Sequence, residues 1–147
     1  MLAKRNRILV AEDDLGLQTV MKRLLHSIDD KIAIDWVSTA DQAFVTIEDA
    51  RLGRPERYDL VIADIHTPGR LTGLQLWFYC HERHPRLNFL ITSSMPVEIY
   101  LSSFEHHEVV PRYLSKPFCI NECVGILRAA LQSNSKENEA HHAHPKS

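Results

Sequence analysis

The sequence has no long hydrophobic run: its uninterrupted apolar segments are only a few residues long, whereas a helix needs about 20 apolar residues to cross a bilayer. Its first residues, MLAKRNR, lack the apolar stretch of a signal peptide. Basic residues form no run, and the formal net charge is only −2. These absences predict a cytoplasmic protein and argue against a membrane partner or a dedicated nucleic-acid surface.

Cysteine is also scarce. Cys80, Cys119 and Cys123 are odd in number and lie within segments of apolar periodicity, which favours buried free thiols over a disulfide or a metal site. The remaining composition, with 44% hydrophobic and 24% charged residues over 147 positions, is that of a globular domain. We therefore expect one hydrophobic core.

Apolar runs with strand character alternate with segments of helical periodicity. Strands are predicted at residues 8–11, 31–37, 60–64, 87–91 and 109–115, and helices at residues 15–28, 40–50, 74–83, 97–105 and 120–131. These βα repeats predict a doubly wound α/β fold, with a parallel sheet and helices on both faces. Pro111 cannot donate to a ladder, so the last strand is expected at an edge. Asp14 is expected to stabilise the start of the first helix.

The domain is predicted to span residues 5–132. Residues 133–147 are polar and rich in histidine, without apolar periodicity, and they are expected to form a disordered tail. On this division no residues remain for a DNA-binding or enzymatic output domain, so the output is expected to be a protein contact or a relay of the signal.

Polar side chains follow four of the predicted strands. Glu12 and Asp13 follow the first, Asp64 ends the third, residues 92–94 (TSS) follow the fourth, and Lys116 follows the fifth. The carboxyl ends of parallel strands meet at one edge, where ligands bind. Three neighbouring acids repel each other and recruit a cation, and oxygen ligands suit Mg²⁺ or Mn²⁺. A lysine and a hydroxyl beside that cation make a site for a phosphoryl group.

Three segments carry a family resemblance: residues 8–14 (ILVAEDD), residues 58–64 (YDLVIAD) with Pro68 and Gly73 beyond them, and residues 113–118 (YLSKPF). In this order and spacing they resemble the receiver domain of response regulators in two-component signalling, over about residues 5–132. The resemblance implies a flavodoxin-like (βα)5 sheet with strand order 2-1-3-4-5. It also implies a stand-alone, single-domain response regulator.

The resemblance assigns a role to each residue at the strand ends. Asp64 would accept a phosphoryl group from a phosphohistidine on a sensor histidine kinase or a phosphotransfer protein. Glu12, Asp13, Asp64 and the backbone carbonyl of His66 would hold Mg²⁺, and Lys116 would pair with phosphoryl oxygens. The chain would catalyse only its own phosphorylation and dephosphorylation, and it would not otherwise be an enzyme.

The resemblance also implies a conformational switch. Ser93 would hydrogen-bond the phosphoryl group, and Tyr113 would rotate inward behind it, which changes the surface of the fourth helix, fifth strand and fifth helix. Counting from the neighbouring strands leaves Ser93, Ser94 and Thr92 open as the switch hydroxyl. The changed surface would contact a downstream protein.

Some positions depart from the family pattern. Thr67 stands where the family usually has methionine. Residues 69–73 (GRLTG) resemble a longer loop found in some receivers, but Thr72 stands where those receivers have an acidic residue. A homodimer through the switch surface is plausible by analogy, with Tyr100 and Phe104 predicted to be exposed there.

Two other functions compete with this interpretation. A degenerate receiver would act as a phosphate-independent protein-binding module. A phosphatase of the haloacid dehalogenase type also uses an aspartate at a strand end with Mg²⁺, but it needs a second aspartate two residues later, where this chain has His66.

Overall fold

Strands and helices alternate along the whole described chain, which comprises residues 5–53 and 58–140. In this computed structural model the strands are β1 (Arg7–Ala11), β2 (Ala33–Val37), β3 (Leu60–Asp64), β4 (Asn88–Ser93) and β5 (Arg112–Ser115). The helices are α1 (Leu15–Ile28), α2 (Ala40–Gly53), α3 (Gly73–Arg83), α4 (Val97–Ser102) and α5 (Ile120–Ala140). No described helix combines the length and the apolar character needed to span a bilayer.

The strands form one parallel sheet in the order β2-β1-β3-β4-β5, which confirms the predicted doubly wound fold and strand order. Side chains alternate between its two faces. On one face β1 and β3 contribute Leu9 and Val61 to a core with α2 and α3, and on the other they contribute Ile8 and Leu60 to a core with α1 and α5. Because β3 is central and covered on both faces, all of its residues are buried.

Side chains at the helix starts set where α1 and α3 begin. Asp14 is the N-cap of α1, and its side chain accepts a hydrogen bond from the Leu17 N–H at 3.1 Å, which confirms its predicted position at the helix start. Thr72 and Gln75 form a capping box at α3: the Thr72 hydroxyl accepts from the Gln75 N–H, and the Gln75 side chain accepts from the Thr72 N–H.

The region around α4 differs from the sequence prediction. The helix ends at Ser102. The Ser103 N–H is shared between the carbonyls of Ile99 and Tyr100, and the later N–H groups of Phe104, Glu105 and His107 bond three residues back in tight turns. The hydroxyls of Ser102 and Ser103 also compete for the Ile99 carbonyl. β5 begins at Arg112, immediately after Pro111, and it lies at the sheet edge as predicted.

The last helix also differs. α5 continues to Ala140, past the domain boundary predicted at residue 132, while residues 141–147 lie outside the described part of the chain. The domain division itself stays a prediction. Cys80 and Cys123 are buried free thiols as expected, but Cys119 is exposed because it precedes the first turn of α5.

Candidate functional site

The carboxyl edge of the sheet brings together side chains that lie far apart in the sequence. Asp64 ends β3, and it pairs in register with Thr92 of β4. Ser93 pairs with Ser115 of β5, and the Lys116 N–H donates to the Ser93 carbonyl at 2.8 Å. These pairings place Lys116 at the same edge of the sheet as the ends of β4 and β3.

Lys116 bridges two carboxylates. Its Nζ lies 2.8 Å from Oδ2 of Asp64 and 3.1 Å from Oε1 of Glu12. Both carboxylates are buried, so these contacts are poorly screened by water. Burial lowers the pKa of Lys116, but the hydrogen bonds to Asp64 and Glu12 outweigh it and raise that pKa above its ordinary value. Lys116 is therefore a fixed positive charge at this edge.

Glu12 is held in place by its neighbours. Burial raises the pKa of Glu12, although the Asp14 N–H, which donates to Oε2 at 3.1 Å, and Lys116 both work in the opposite direction. Gln18, one turn into α1, donates from Nε2 to the Glu12 carbonyl at 2.6 Å. A buried acid with a raised pKa gains from a further nearby cation.

Glu12, Asp13 and Asp64 together form a candidate cation site. Each offers a carboxylate oxygen, and these oxygens lie within 4.8 Å of one another. Asp13 is exposed, so the site opens to solvent on that side. Three carboxylate oxygens are donors that fit Mg²⁺ or Mn²⁺. The His66 N–H donates to Oδ1 of Asp64 at 3.2 Å, which puts the His66 backbone beside the same carboxylate.

β4 extends two residues beyond its predicted end, so Thr92 and Ser93 lie within the strand and only Ser94 follows it. The three hydroxyls occupy different environments. Ser94 is exposed, whereas Thr92 and Ser93 are buried. Alternation along the strand puts Thr92 on the face of Leu90 and Ser93 on the face of Ile91. The Ser93 hydroxyl accepts from the Met95 N–H at 3.0 Å, so it already helps to shape the β4–α4 loop.

Tyr113 packs behind that loop. Its hydroxyl donates to the carbonyls of Met95 and Ser93, and its ring stacks on Tyr100 with centroids 3.9 Å apart. The Tyr100 hydroxyl donates in turn to the Pro111 carbonyl at 2.9 Å. The ring of Tyr113 thus contacts both α4 and the loop that carries Ser93.

The prediction that Tyr100 and Phe104 are exposed is wrong. Tyr100 is 0% exposed and Phe104 only 4% exposed, because they pack on each other and on the α3 side of the core. Phe104 lies edge-on to Trp77 of α3. Both rings therefore face the core.

Sequence reasoning missed how closely α3 approaches the phosphoacceptor candidate. A Cβ at Gly73 would lie 2.4 Å from the carbonyl oxygen of Asp64, and the Gly73 N–H donates to the Ile65 carbonyl at 3.0 Å. Glycine is therefore required there, since any side chain would displace the backbone of Asp64. The family resemblance includes Gly73, but the sequence pattern does not give that reason for it.

The carboxyl edge of this α/β sheet thus carries an acidic cluster, bridged by a lysine, that is a candidate cation site. No protein-family model and no curated protein matches the chain. A signal receiver domain of an HD domain-containing protein from Pseudomonas fluorescens Pf-5 is similar, with 24% identity and TM-score 0.72, over 91% of this chain and 100% of that one. A CheY-like response regulator receiver domain protein from Methanospirillum hungatei JF-1 has 21% identity and TM-score 0.72, over 91% and 99%.

A further solved structure, the non-phosphorylated HemR receiver domain from Leptospira biflexa, shares 28% identity with a TM-score of 0.65, over 86% of this chain and 94% of that one. Similarity of this extent to several receiver domains confirms the resemblance drawn from the sequence. The fold of this chain is the receiver-domain fold of response regulators.

Proposed function

We propose that the chain is a single-domain response regulator that accepts a phosphoryl group on Asp64. The observation that carries the proposal is the bridge from Lys116 Nζ to Asp64 Oδ2 at 2.8 Å and to Glu12 Oε1 at 3.1 Å. A buried strand-end carboxylate, a fixed ammonium and two further acids on the cation side are the groups that phosphoryl transfer to a carboxylate requires.

The transfer step is a displacement at phosphorus. An oxygen of the Asp64 carboxylate attacks the phosphorus of a phosphohistidine on a sensor histidine kinase or a phosphotransfer protein. The new O–P bond gives an acyl phosphate, and the N–P bond breaks to release the histidine ring. Lys116, already beside Asp64, then pairs with the phosphoryl oxygens. Attack of water on the acyl phosphate breaks the O–P bond, which returns the Asp64 carboxylate and releases inorganic phosphate. We propose no other substrate for the chain.

Uptake is expected to depend on Mg²⁺, with Mn²⁺ as a substitute. Glu12, Asp13, Asp64 and the backbone carbonyl of His66 would hold the ion, which supplies neutralising charge for the transferring group. Glu12 and Asp13 would supply ligand oxygens and negative charge on the cation side of the site. Lys116 supplies positive charge on the other side. The oxygens of the three acids lie within 4.8 Å of one another, which supports this division of roles.

Ser93 is the proposed switch hydroxyl and Tyr113 the proposed switch ring. Both lie on the face of Ile91, and the Tyr113 hydroxyl donates to the carbonyls of Ser93 and Met95. A new hydrogen bond from Ser93 to the phosphoryl group would draw this loop toward Asp64 and so disturb the ring. Thr92 pairs with Asp64 but lies on the opposite face, away from Tyr113.

The proposed output surface consists of α4, β5 and α5. Apolar side chains on α4 and the following loop are between 40% and 54% exposed: Val97, Ile99, Leu101, Val109 and Val110. An apolar patch of this kind suits contact with a downstream protein or a second copy of the chain. The signalling role is proposed to take place in the cytoplasm, without nucleic-acid or membrane partners.

Uptake of beryllofluoride or acetyl phosphate with Mg²⁺ tests the proposal. Intact mass should rise by one phosphoryl group with acetyl phosphate in wild type and in Asp14→Asn, which removes a neighbouring charge but keeps a side-chain oxygen for the α1 cap. It should not rise in Asp64→Asn, because the amide is a poor nucleophile. EDTA should abolish uptake in every variant.

Uptake that survives Asp64→Asn would refute the assignment. Failure of wild type to bind Mg²⁺ or beryllofluoride would favour the phosphate-independent binding module instead. Light scattering with and without beryllofluoride tests the homodimer, which a monomeric mass in both states would exclude. Phosphotransfer from a panel of kinases would identify the phosphoryl donor.

A further inference from the structure

The loop that follows Asp64 is bound to the start of α2 by side chains from both sides. The Asp41 carboxylate, in the first turn of α2, accepts the backbone N–H groups of Arg70 at 3.1 Å and Leu71 at 2.8 Å. In return the Thr67 hydroxyl accepts the Ala40 N–H at 3.0 Å. A helix side chain caps the loop, and a loop side chain caps the helix.

The shape of the loop permits this close approach. Gly69 has φ +109°, a conformation that side chains rarely adopt, and a Cβ there would lie 2.9 Å from Oδ1 of Asp41. The hydrogen bonds from Leu71 and Arg70 lower the pKa of Asp41, so its carboxylate is ionised at neutral pH and accepts strongly.

The other end of the loop is anchored on α3. Thr72 caps that helix, and Gly73 lies against the backbone of Asp64. The backbone of His66 lies between Ile65, whose carbonyl accepts the Gly73 N–H at 3.0 Å, and Thr67, whose hydroxyl accepts the Ala40 N–H, and the His66 N–H donates to Asp64 Oδ1. The Asp41 and Thr67 contacts therefore fix the segment whose carbonyl is proposed to face the cation.

We propose that Asp41 and Thr67 are positioning residues that hold the loop after Asp64 in the geometry that binds Mg²⁺ and accepts the phosphoryl group. This inference rests on the proposed function of Asp64. Neither residue touches the reacting atoms. Their role is to keep the His66 backbone and the Asp64 carboxylate aligned, since a displacement of about 1 Å at such a site can cost about 100-fold in rate.

The test compares Mg²⁺ affinity, by calorimetry on the full chain, between Asp41→Ala and a matched control. Glu48→Ala is the control because Glu48 also lies on α2 and also ties it to the α3 region, through Arg83 and His84 at 3.1 Å each, but about two turns further along the helix than Asp41. Asp41→Ala should bind Mg²⁺ about tenfold more weakly, as loss of outer-shell support does in metal sites. Glu48→Ala should bind it as wild type does.

Rescue at Thr67 separates positioning from a general loss of stability. Thr67→Val removes the hydroxyl at nearly constant volume and should also weaken Mg²⁺ binding and slow acetyl phosphate uptake. Thr67→Ser restores the hydroxyl and should restore both. Amide hydrogen exchange gives a readout at the loop itself: the N–H groups of Arg70 and Leu71 should lose protection in Asp41→Ala and keep it in Glu48→Ala.

The outcomes distinguish this inference from the proposed function. Wild type that takes up no acetyl phosphate overturns both. Normal uptake by wild type together with unchanged Mg²⁺ affinity in Asp41→Ala and Thr67→Val overturns the positioning role alone. Equal weakening in Glu48→Ala and Asp41→Ala also overturns it, because the effect would then follow from the packing of α2. If Asp41→Ala does not fold, the pair Thr67→Val and Thr67→Ser decides.

Discussion

Replacing Lys116 with methionine removes the positive charge of the site and keeps most of the aliphatic stem. The Lys116 side chain is 16% exposed, and its partners Glu12 and Asp64 are 7% and 9% exposed. Water therefore cannot replace the ammonium fully. The variant leaves two buried carboxylates next to each other, and one of them, Glu12, already has a raised pKa because of burial.

The expected loss is large. Two unit charges about 4 Å apart interact by about 4 kcal/mol at an effective dielectric near 20, and removing one partner of a buried pair costs about 3–5 kcal/mol. The crevice is open on the side of Asp13, which relieves part of this cost. We expect Lys116→Met to lower the free energy of unfolding by about 3 kcal/mol at pH 7 in EDTA.

The loss should depend on pH in a defined direction. Without the hydrogen bond and charge of Lys116, both of which lower the pKa of Glu12, that pKa rises further above its ordinary 4.5. The folded variant then binds a proton more tightly than the unfolded chain, so its stability improves as pH falls toward the raised value. Lys116 has a raised pKa itself and stays charged below its ordinary 10.5, so it contributes no change between pH 7 and pH 5.

Urea unfolding followed by circular dichroism measures these effects. The deficit of Lys116→Met should shrink from pH 7 to pH 5, and it should shrink at pH 7 when saturating Mg²⁺ replaces EDTA, because the ion neutralises the same carboxylates. Lys116→Arg keeps the charge and should lose much less. A deficit that is equal at both pH values and unaffected by Mg²⁺ would refute this electrostatic account of the site.

Two further predictions concern the backbone around the site. Gly73→Ala should lower the free energy of unfolding by about 2–3 kcal/mol and weaken Mg²⁺ binding, since its Cβ would meet the Asp64 carbonyl at 2.4 Å. Gly125→Ala, whose Cβ meets nothing within 4 Å, should cause neither loss. Equal urea midpoints for the two variants would contradict this prediction. Tyr113→Phe loses its bonds to the Met95 and Ser93 carbonyls and should cost about 1 kcal/mol in urea unfolding. The exposed Tyr79→Phe should cost nothing, and a neutral Tyr113→Phe would show that these bonds add no net stability.

The sheet could be predicted because each strand is marked by its own residues. β3 is an unbroken apolar run that ends at an acid, and such a run is typical of a strand covered on both faces. The extent of α4 could not be predicted in the same way. Tyr100 and Phe104 have the spacing of a helix face, but the turns after Ser102 and the contact with Trp77 come from tertiary packing.

The acids and the lysine of the site could be predicted because each one directly follows a strand, and parallel strands share an edge. The supporting residues gave no such signal. Asp41 follows a predicted helix start, Thr67 is a single departure from a family pattern, and the two are 26 positions apart in the numbering. Their contacts with the loop depend on how α2 packs beside β3, and a pattern of neighbouring residues does not carry that information.

The hydrogen bonds that hold the β4–α4 loop define a proposed route from the site to α4. The carbonyl of Met95 accepts the hydroxyls of both Tyr113 and Ser115, and the Met95 N–H donates to Ser93. If Ser93 turns its hydroxyl toward a phosphoryl group, the bond to the Met95 N–H must break or the loop must follow. Either change removes or displaces an acceptor of Tyr113, whose ring stacks on Tyr100. The buried Tyr100 lies within α4, so the proposed phosphorylation of Asp64 would reach the exposed apolar residues of that helix through two aromatic rings.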